Sequence, residues 1–173
     1  GLSARPRNPQ GCPIWLGGAV PAAVERAAQM GDAWLASFTT DPAVMRGLFD
    51  TYRAALPAGK APEMPICREA FVGASAQDAL ARCKETLIGK YAAYASWDND
   101  HVADKRPFAE RFDEFRKDRF LIGDVAQIKD EVARYRDELG VTTMLLRRNW
   151  PGTDFEQSLA SIKRFEAVAA AFA

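Results

Sequence analysis

The turn Gly17-Gly18 is the clearest candidate for ligand binding in the sequence. It follows a short apolar run at 14–17, which predicts a buried strand, and an alanine-rich helical pattern begins at about Val20. Adjacent glycines let a ligand approach the backbone closely, and the N–H groups and positive dipole at the start of the helix face the same place. This arrangement favours an anion, most often a phosphate. The alternative is a tight turn that binds nothing.

Further candidates follow or interrupt the other predicted strands: Ser37, Thr39, Arg68, Glu69, Arg147, Arg148 and Trp150. Charged residues inside a strand either face an open pocket or pair with each other, and both interpretations stay open for Arg68 and Glu69. Arg147 and Arg148 are neighbours at the end of the fourth strand. Their side chains therefore point to opposite faces, and at most one of them can face a pocket, where an anionic ligand would suit its guanidinium group.

The only histidine, His101, is a weak candidate for a catalytic acid or base, because its ordinary pKa lies near neutrality. It lies in the segment 97–105, which breaks the helical periodicity and is predicted to form a loop or lid. A solvated loop histidine is the alternative. Aromatic residues near this segment either line a substrate pocket or pack in the core: Trp97, Phe108, Phe112 and Phe115. The sequence has no nucleophile elbow, dinucleotide fingerprint, P-loop or zinc-ligand spacing, which argues against hydrolases and kinases.

The composition is that of a single globular domain. With 173 residues, of which 48% are hydrophobic and 27% charged, the chain has room for one core. Its 23 basic and 23 acidic residues create no basic field for nucleic acid or an anionic membrane. We expect a cytoplasmic protein, because no apolar stretch approaches the roughly 20 residues of a membrane span and no leader precedes Pro13. Three cysteines without metal-ligand spacing favour reduced thiols.

Apolar periodicity predicts strands that alternate with helices. The strands are expected at 14–17, 33–37, 64–73 and 142–146, and the helices at about 20–30, 41–56, 75–91, 107–117, 124–140 and 153–172. Asp41 (or Thr40), Ser75 and Asp124 are suitable N-terminal caps, and Gly140 is a suitable end. Alternation of this kind implies a parallel sheet whose helices lie on one side if the sheet curls into a barrel.

Several segments resemble one protein family. They are Pro-Ile-Trp-Leu-Gly-Gly at 13–18, Ala-Ala-Gln-Met-Gly-Asp-Ala-Trp at 27–34 and Phe-Leu-Ile-Gly-Asp at 120–124. The likeness continues through Leu145 and Arg147-Arg148-Asn149-Trp150-Pro151-Gly152 to the carboxyl terminus. In this order the segments are similar to the luciferase-like flavin-dependent monooxygenases over nearly the whole chain. The match covers only the second half of that family's (β/α)8 barrel.

The fold implied by this resemblance is α/β: a single domain over 1–173 that forms the C-terminal half of a (β/α)8 TIM barrel. It would contain four βα units, with a helical insertion between the third and fourth strands. Four strands do not close a barrel, and a complete one takes about 250 residues. Two unpaired edges would remain, and natural proteins seldom leave edges bare. We therefore expect either that the native protein is longer or that two copies pair as a homo-oligomer.

The activity implied by the resemblance is that of a monooxygenase in which reduced flavin activates dioxygen to oxidise a small organic substrate. FMN is the expected cofactor and a deazaflavin the alternative, since some relatives transfer hydride without oxygen. A flavin reductase is a possible partner, and neither nucleic acid nor a membrane is expected. The alternative class is a non-catalytic half-barrel or flavin-free homologue that acts as a binding or oligomerising protein.

The resemblance also assigns site residues. Together with the glycine turn and the strand ends, it indicates Gly17, Gly18, Ala19, Val20 and Ser37 as cofactor-binding candidates. The strand positions of Arg68, Arg147 and Trp150 make them candidates for the substrate or flavin pocket. The family commonly has a serine after the glycine turn, whose hydroxyl helps to hold the flavin phosphate. Here Ala19 and Val20 occupy those positions. Only backbone N–H groups are therefore available at this turn to bind a phosphate.

Overall fold

The computed structural model describes Asn8, residues 11–96 and residues 106–173, and the structural statements below refer to these residues. They form five strands: β1 (Trp15–Gly17), β2 (Ala33–Leu35), β3 (Pro65–Val72), β4 (Phe120–Gly123) and β5 (Thr143–Arg147). They also form six helices: α1 (Pro21–Met30), α2 (Pro42–Ala55), α3 (Ala76–Ser96), α4 (Phe108–Arg116), α5 (Val125–Leu139) and α6 (Phe155–Ala169). None of these helices is long and apolar enough to cross a lipid bilayer.

All strand pairs are parallel, and the long strand β3 lies at the centre. β1 pairs with β2, and β3 pairs with β4 and β5. A bridge between Ala36 and Ile66 connects β2 to β3. The amides of Cys67 and Gly73 point to the same edge of β3, because successive backbone groups of a strand alternate in direction. They donate to Ala36 and Gly123, so β2 and β4 lie along one edge of β3 and β5 along the other.

The structure has a strand, β4, that the periodicity did not predict. The segment Phe120–Gly123 was expected only as part of the connection before the helix capped by Asp124. Four residues are too few to show a clear alternation, and pairing with the second half of β3 decides their conformation. The four predicted strands are all present, and β4 is an additional strand within the predicted insertion between the strands expected at 64–73 and 142–146. The predicted α/β architecture with its helix-rich insertion is therefore confirmed.

The helix boundaries follow from capping residues. The Asp41 side chain accepts a hydrogen bond from the Ala43 amide at 2.9 Å at the start of α2. Asp124 and Gln127 form a reciprocal capping box on α5, which ends at Gly140 with φ of 73°. Ser75 accepts from the Asp78 amide at the start of α3. These caps confirm the predicted helix starts at 41, 75 and 124.

The two faces of the sheet carry different cores. On one face, Ile66, Ala70 and Val72 of β3 pack with Trp34 of β2 and with apolar residues of α1, α2, α5 and α6. We call this the outer face. On the other, inner face, Phe71 packs with aromatic and apolar residues of α3, α4 and β4: Leu87, Tyr91, Phe108, Phe112 and Phe120. Phe108 and Phe112 are therefore core residues in the structure, and Phe115 packs partly buried against them.

Candidate functional site

The turn after β1 is exposed and is held by its backbone. Gly18 has φ of +152°, and a Cβ at this position would lie 2.5 Å from the Cβ of Ala23 in α1. The indole Nε1 of Trp34 donates to the Gly18 carbonyl oxygen at 2.9 Å. α1 begins at Pro21, and no side chain makes a capping hydrogen bond at Val20. Since Ala19 and Val20 have apolar side chains, the polar groups of this turn are those of the backbone.

Ser37 follows β2 at the same end of the sheet. Its hydroxyl oxygen lies 3.4 Å from that of Thr39. Its carbonyl oxygen accepts a hydrogen bond from Arg68 Nη1 at 3.0 Å. Because parallel strands end at a common edge, the loop 37–40 and the turn after β1 both lie at the carboxyl end of the sheet, where ligands bind in barrels.

Arg68 lies on the outer face and is completely buried. Its Nε donates to the Tyr135 hydroxyl at 2.9 Å, and Nη2 donates to the Thr40 carbonyl at 3.1 Å. Together with the bond to Ser37, these contacts anchor the loop 37–40 to β3 and α5. Arg68 was expected to line a pocket or pair with Glu69. The structure instead places it in the core, because adjacent strand residues point to opposite faces.

Glu69 lies on the inner face, and its side chain has no exposed surface. Its Oε1 accepts hydrogen bonds from Lys90 Nζ at 2.5 Å, from the Tyr91 hydroxyl at 3.0 Å and from Arg147 Nη2 at 2.5 Å. Arg147 Nε lies 3.1 Å and 3.2 Å from the two carboxylate oxygens. The lysine side chain is 5% exposed and the arginine side chain 30%. We call these four residues the Glu69 cluster.

Aromatic rings surround the two cations of the Glu69 cluster. The guanidinium carbon of Arg147 lies 3.8 Å from the centroid of the Phe38 ring. Lys90 Nζ lies 5.6 Å from the centroids of Phe38 and Tyr94 and 5.7 Å from that of Trp150. At these distances the negative ring faces stabilise a cation.

Burial shifts the pKa values of two groups in the cluster. Burial lowers the pKa of Lys90, and the hydrogen bond and charge of Glu69 act in the opposite direction. Burial also raises the pKa of the Tyr91 hydroxyl, and the negative charge of Glu69 adds to this effect. Tyr91 is therefore a hydrogen-bond donor to the carboxylate over the physiological pH range.

A cleft of about 590 Å³ opens beside the cluster, between α3 and the loop after β5. Its lining includes Thr86, Gly89, Lys90, Tyr94, Pro151 and Gly152. Trp150 is buried, and its Nε1 donates to the Thr86 hydroxyl at 2.8 Å, which fixes the loop against α3. The cleft is thus bordered by the cation Lys90, by the carboxylate side chain of Glu85, by the ring of Tyr94 and by an exposed glycine loop.

The structure brings some of the predicted site residues together. Arg147 and Trp150 both lie beside Lys90, whereas Arg148 points to the outer face, with its guanidinium carbon 5.8 Å from the Phe165 centroid. His101 and Trp97 lie outside the described residues. The sequence analysis missed Lys90 and Phe38. Lys90 could have been found, because it lies three residues after Leu87 on the apolar face of α3.

Comparison with known proteins agrees with this architecture. A sequence profile of the luciferase-like monooxygenases matches residues 1–143. No curated protein sequence matches the chain. Among solved structures, the monooxygenase RslO1 from Streptomyces bottropensis is 20% identical, with a TM-score of 0.80 over 99% of this chain and 51% of that protein.

Two further structures share the fold. An F420-dependent secondary alcohol dehydrogenase in complex with an F420-acetone adduct is 15% identical, with a TM-score of 0.64 over 96% of this chain and 51% of the dehydrogenase. The oxygenating constituent of 3,6-diketocamphane monooxygenase from Pseudomonas putida, in complex with FMN, is 15% identical, with a TM-score of 0.53 over 89% of this chain and 45% of that protein. The chain spans about half the length of these proteins. Its sequence match over residues 1–143 shows that it belongs to the luciferase-like monooxygenase family.

Proposed function

We propose that this chain is the C-terminal half of a flavin-dependent monooxygenase, in which reduced flavin activates dioxygen and oxidises a small organic substrate. The observation that carries the proposal is the family match over residues 1–143. The FMN complex and the F420 complex among the structural neighbours support FMN as the cofactor and a deazaflavin as the alternative. A cytoplasmic location, a flavin reductase partner and a homo-oligomer remain predictions.

The turn after β1 fits a cofactor phosphate through its backbone. The side chains there, Ala19 and Val20, add no donor, and the glycine at position 18 lets the turn pack against Ala23 of α1. The N–H groups of Gly18 to Val20 and the N-terminal dipole of α1 would hold the phosphate, with Ser37 nearby at the same edge. We expect weaker phosphate binding than in a relative whose turn carries a serine, because a hydroxyl donor is missing.

The inner face of the sheet supports the second part of the proposal, that another half completes the barrel. By strand register, Trp15, Leu35, Cys67 and Leu145 lie on this face, and all four are partly exposed. In a complete barrel, inward-pointing residues of this kind fill the interior. The chain's own share of catalysis would then be to bind the cofactor, orient the substrate at the carboxyl end and exclude water.

Two measurements on the protein as its natural source produces it test the proposal. Intact mass comes first: a mass near twice 19.0 kDa supports the half-barrel fragment. Titration with oxidised FMN and with F420, followed by cofactor fluorescence, comes second. Saturable binding at micromolar concentration supports the enzyme. Absence of binding up to millimolar concentration of either cofactor refutes it.

The departure at Ala19 and Val20 favours a second candidate, a flavin-free half-barrel that binds or oligomerises. A mass of 19.0 kDa, together with a sedimentation coefficient of a dimer and no cofactor binding, would support this candidate. Replacement of Ala19 by Ser separates the two further. The enzyme should gain affinity for FMN but not for riboflavin, which lacks the phosphate, whereas the flavin-free protein should bind neither.

A further inference from the structure

The Glu69 cluster has more positive than negative charge. Lys90 and Arg147 share the single carboxylate, and neither has a second acidic partner among the described residues. Their two bonding nitrogens contact the same oxygen, Oε1, so the cations are close neighbours. The lysine is nearly buried, and the arginine is partly exposed. An unbalanced buried charge is costly. A bound anion would remove this cost.

The geometry shows where such an anion would bind. Glu69 occupies Nε and Nη2 of Arg147, and Nη1 has no hydrogen-bond partner within the described chain. The guanidinium carbon of Arg147 lies 3.8 Å from the centroid of the Phe38 ring, which packs against the group. Lys90 borders the cleft of about 590 Å³. A ligand in the cleft therefore meets Lys90 first. The free guanidinium nitrogen belongs to the neighbouring cation, Arg147, which shares Glu69 Oε1 with Lys90 but is not part of the cleft lining.

The aromatic rings around Lys90 indicate which class of anion the site would bind. Tyr94 lines the cleft, and Phe38 and Trp150 lie beside the same ammonium group, so an anion bound there is surrounded by rings. Aromatic walls favour a flat, unsaturated ligand body, since offset and edge-to-face ring contacts are favourable. A guanidinium group binds a carboxylate with directed hydrogen bonds.

We propose that the Glu69 cluster binds the carboxylate of a ring-bearing organic acid, and that Arg147 and Lys90 make this class of compound the substrate. That this compound is the substrate rests on the proposed function, whereas the binding of a carboxylate at the cluster does not. Arg147 and Lys90 contact the carboxylate, and Glu69 is a positioning residue, because it orients both cations. A phosphate group of the cofactor is the other source of an oxyanion, and the test distinguishes the two.

The test uses isothermal titration calorimetry on the unmodified chain with three ligands that share one ring: benzoate, benzyl alcohol and benzylammonium. The expected order is benzoate first, at least tenfold tighter than benzyl alcohol, with no detectable binding of benzylammonium. Equal affinities for benzoate and benzyl alcohol, or no binding of benzoate, would overturn the proposal. This charge series needs no variant and is independent of variant folding.

A matched pair of variants then assigns the site. Arg147→Gln should weaken benzoate binding at least tenfold, whereas Arg148→Gln, the same change on the opposite face, should alter it by less than twofold. Equal losses in both variants would overturn the assignment.

Titration with inorganic phosphate then tests whether the site binds the phosphate group of the cofactor. If phosphate binds as tightly as benzoate and also depends on Arg147, the site is for the cofactor and the substrate proposal fails.

The failure of this proposal can be distinguished from failure of the proposed function. Cofactor titration and benzoate titration measure different sites: the turn after β1 and the Glu69 cluster. Benzoate binding without cofactor binding would support the carboxylate site and refute the proposed monooxygenase function. Cofactor binding without benzoate binding would support the proposed function and refute the carboxylate site.

Discussion

Arg68 and Glu69 are adjacent in β3 and both have no exposed surface, yet their surroundings differ. Arg68, on the outer face, donates to backbone carbonyls and to one tyrosine, and no carboxylate contacts it within the described residues. Glu69, on the inner face, shares its carboxylate between two cations beside an open cleft. Arg68 thus has hydrogen-bond acceptors for its donors, whereas Glu69 provides one negative charge for the two positive charges of Lys90 and Arg147.

This difference separates a structural charge from a functional one. The donors of Arg68 are directed at fixed backbone acceptors, so the site is complete without a ligand. The Glu69 cluster is complete only if an anion joins it. Burial alone would rank the two residues equally, and charge balance together with access to a cleft distinguishes them. The following changes test this comparison.

Replacement of Arg68 by Met should give the largest effect, and it should be on stability. The change removes donors from the carbonyls of Ser37 and Thr40 and from the Tyr135 hydroxyl. A buried acceptor left without a partner costs about 1–3 kcal/mol, and a part-buried one costs less. One of these acceptors is buried and two are part-buried, so we expect a loss of about 4 kcal/mol in the free energy of unfolding. Urea denaturation followed by circular dichroism measures it.

The control for Arg68→Met is Arg148→Met, which removes an arginine from the same face of the sheet but from its partly exposed margin. Its effect should be below about 1 kcal/mol. If both variants lost the same stability, Arg68 would not be the anchor of the loop 37–40.

Replacement of Glu69 by Gln should affect both stability and binding. The variant leaves Lys90 and Arg147 without a counter-charge, which costs about 3 kcal/mol in a buried site. Addition of Lys90→Met should restore part of this loss, because it removes one of the two unpaired cations. Chemical denaturation of both variants, with and without saturating benzoate, measures the coupling. A loss in Glu69→Gln that the second change does not reduce would contradict a charge imbalance.

Much of the architecture could be predicted from the sequence, because it depends on local patterns. The capping residues and the glycine after α5 define helix ends through backbone hydrogen bonds within a few residues. The short strand β4 could not be predicted in this way. Its four residues become a strand only by pairing with β3, about 50 positions earlier in the chain, so the determinant is tertiary.

The candidate site was predicted less completely, for a related reason. Arg147 and Trp150 could be proposed because they follow a predicted strand, and the opposite directions of Arg147 and Arg148 follow from strand geometry. The same alternation separates Arg68 from Glu69, but no local pattern says which face is apolar. The helical spacing of α3 marks Lys90 as a lysine on an apolar face, but it does not reveal that its partner is Glu69, 21 positions away in the chain.

At alkaline pH, the free energy of unfolding should depend on the buried Cys83 more than on the partly exposed Cys67 of the inner face. Burial raises the pKa of the Cys83 thiol to about 12, from a model-compound value of 9.0. Below pH 9 this group does not affect stability. As pH rises from 9 towards 12, the unfolded chain ionises and the folded chain does not, so stability falls by about 1.4 kcal/mol at pH 10.

The difference in unfolding free energy between pH 8 and pH 10 measures this effect. In Cys83→Ala the fall should be smaller than in the unmodified chain by about that amount. Cys67→Ala is the matched control. Burial also raises the pKa of Cys67, but the positive charge of Arg147 opposes it, so this variant should change the pH dependence less. If Cys67→Ala changed the pH dependence of stability more than Cys83→Ala, the expected difference between the buried and the partly exposed thiol would be contradicted.

Two helix glycines give the smallest but most selective comparison. A Cβ at Gly47 in α2, or at Gly89 in α3, would meet no atom within 4 Å. Because alanine loses less backbone entropy than glycine in a helix, each Gly→Ala change should stabilise the fold by about 1 kcal/mol. Urea denaturation should therefore show equal gains on the two faces of the sheet.

Ligand binding should separate the same two variants. Gly89 lines the cleft, so the added methyl group of Gly89→Ala enters the space that the ring of benzoate would occupy. Gly47 lies in α2, remote from the cleft lining. We expect Gly89→Ala to weaken benzoate binding severalfold and Gly47→Ala to leave it unchanged. If both variants gain stability and bind benzoate as the unmodified chain does, the ligand does not use this cleft, and the Glu69 cluster must take its anion from another direction.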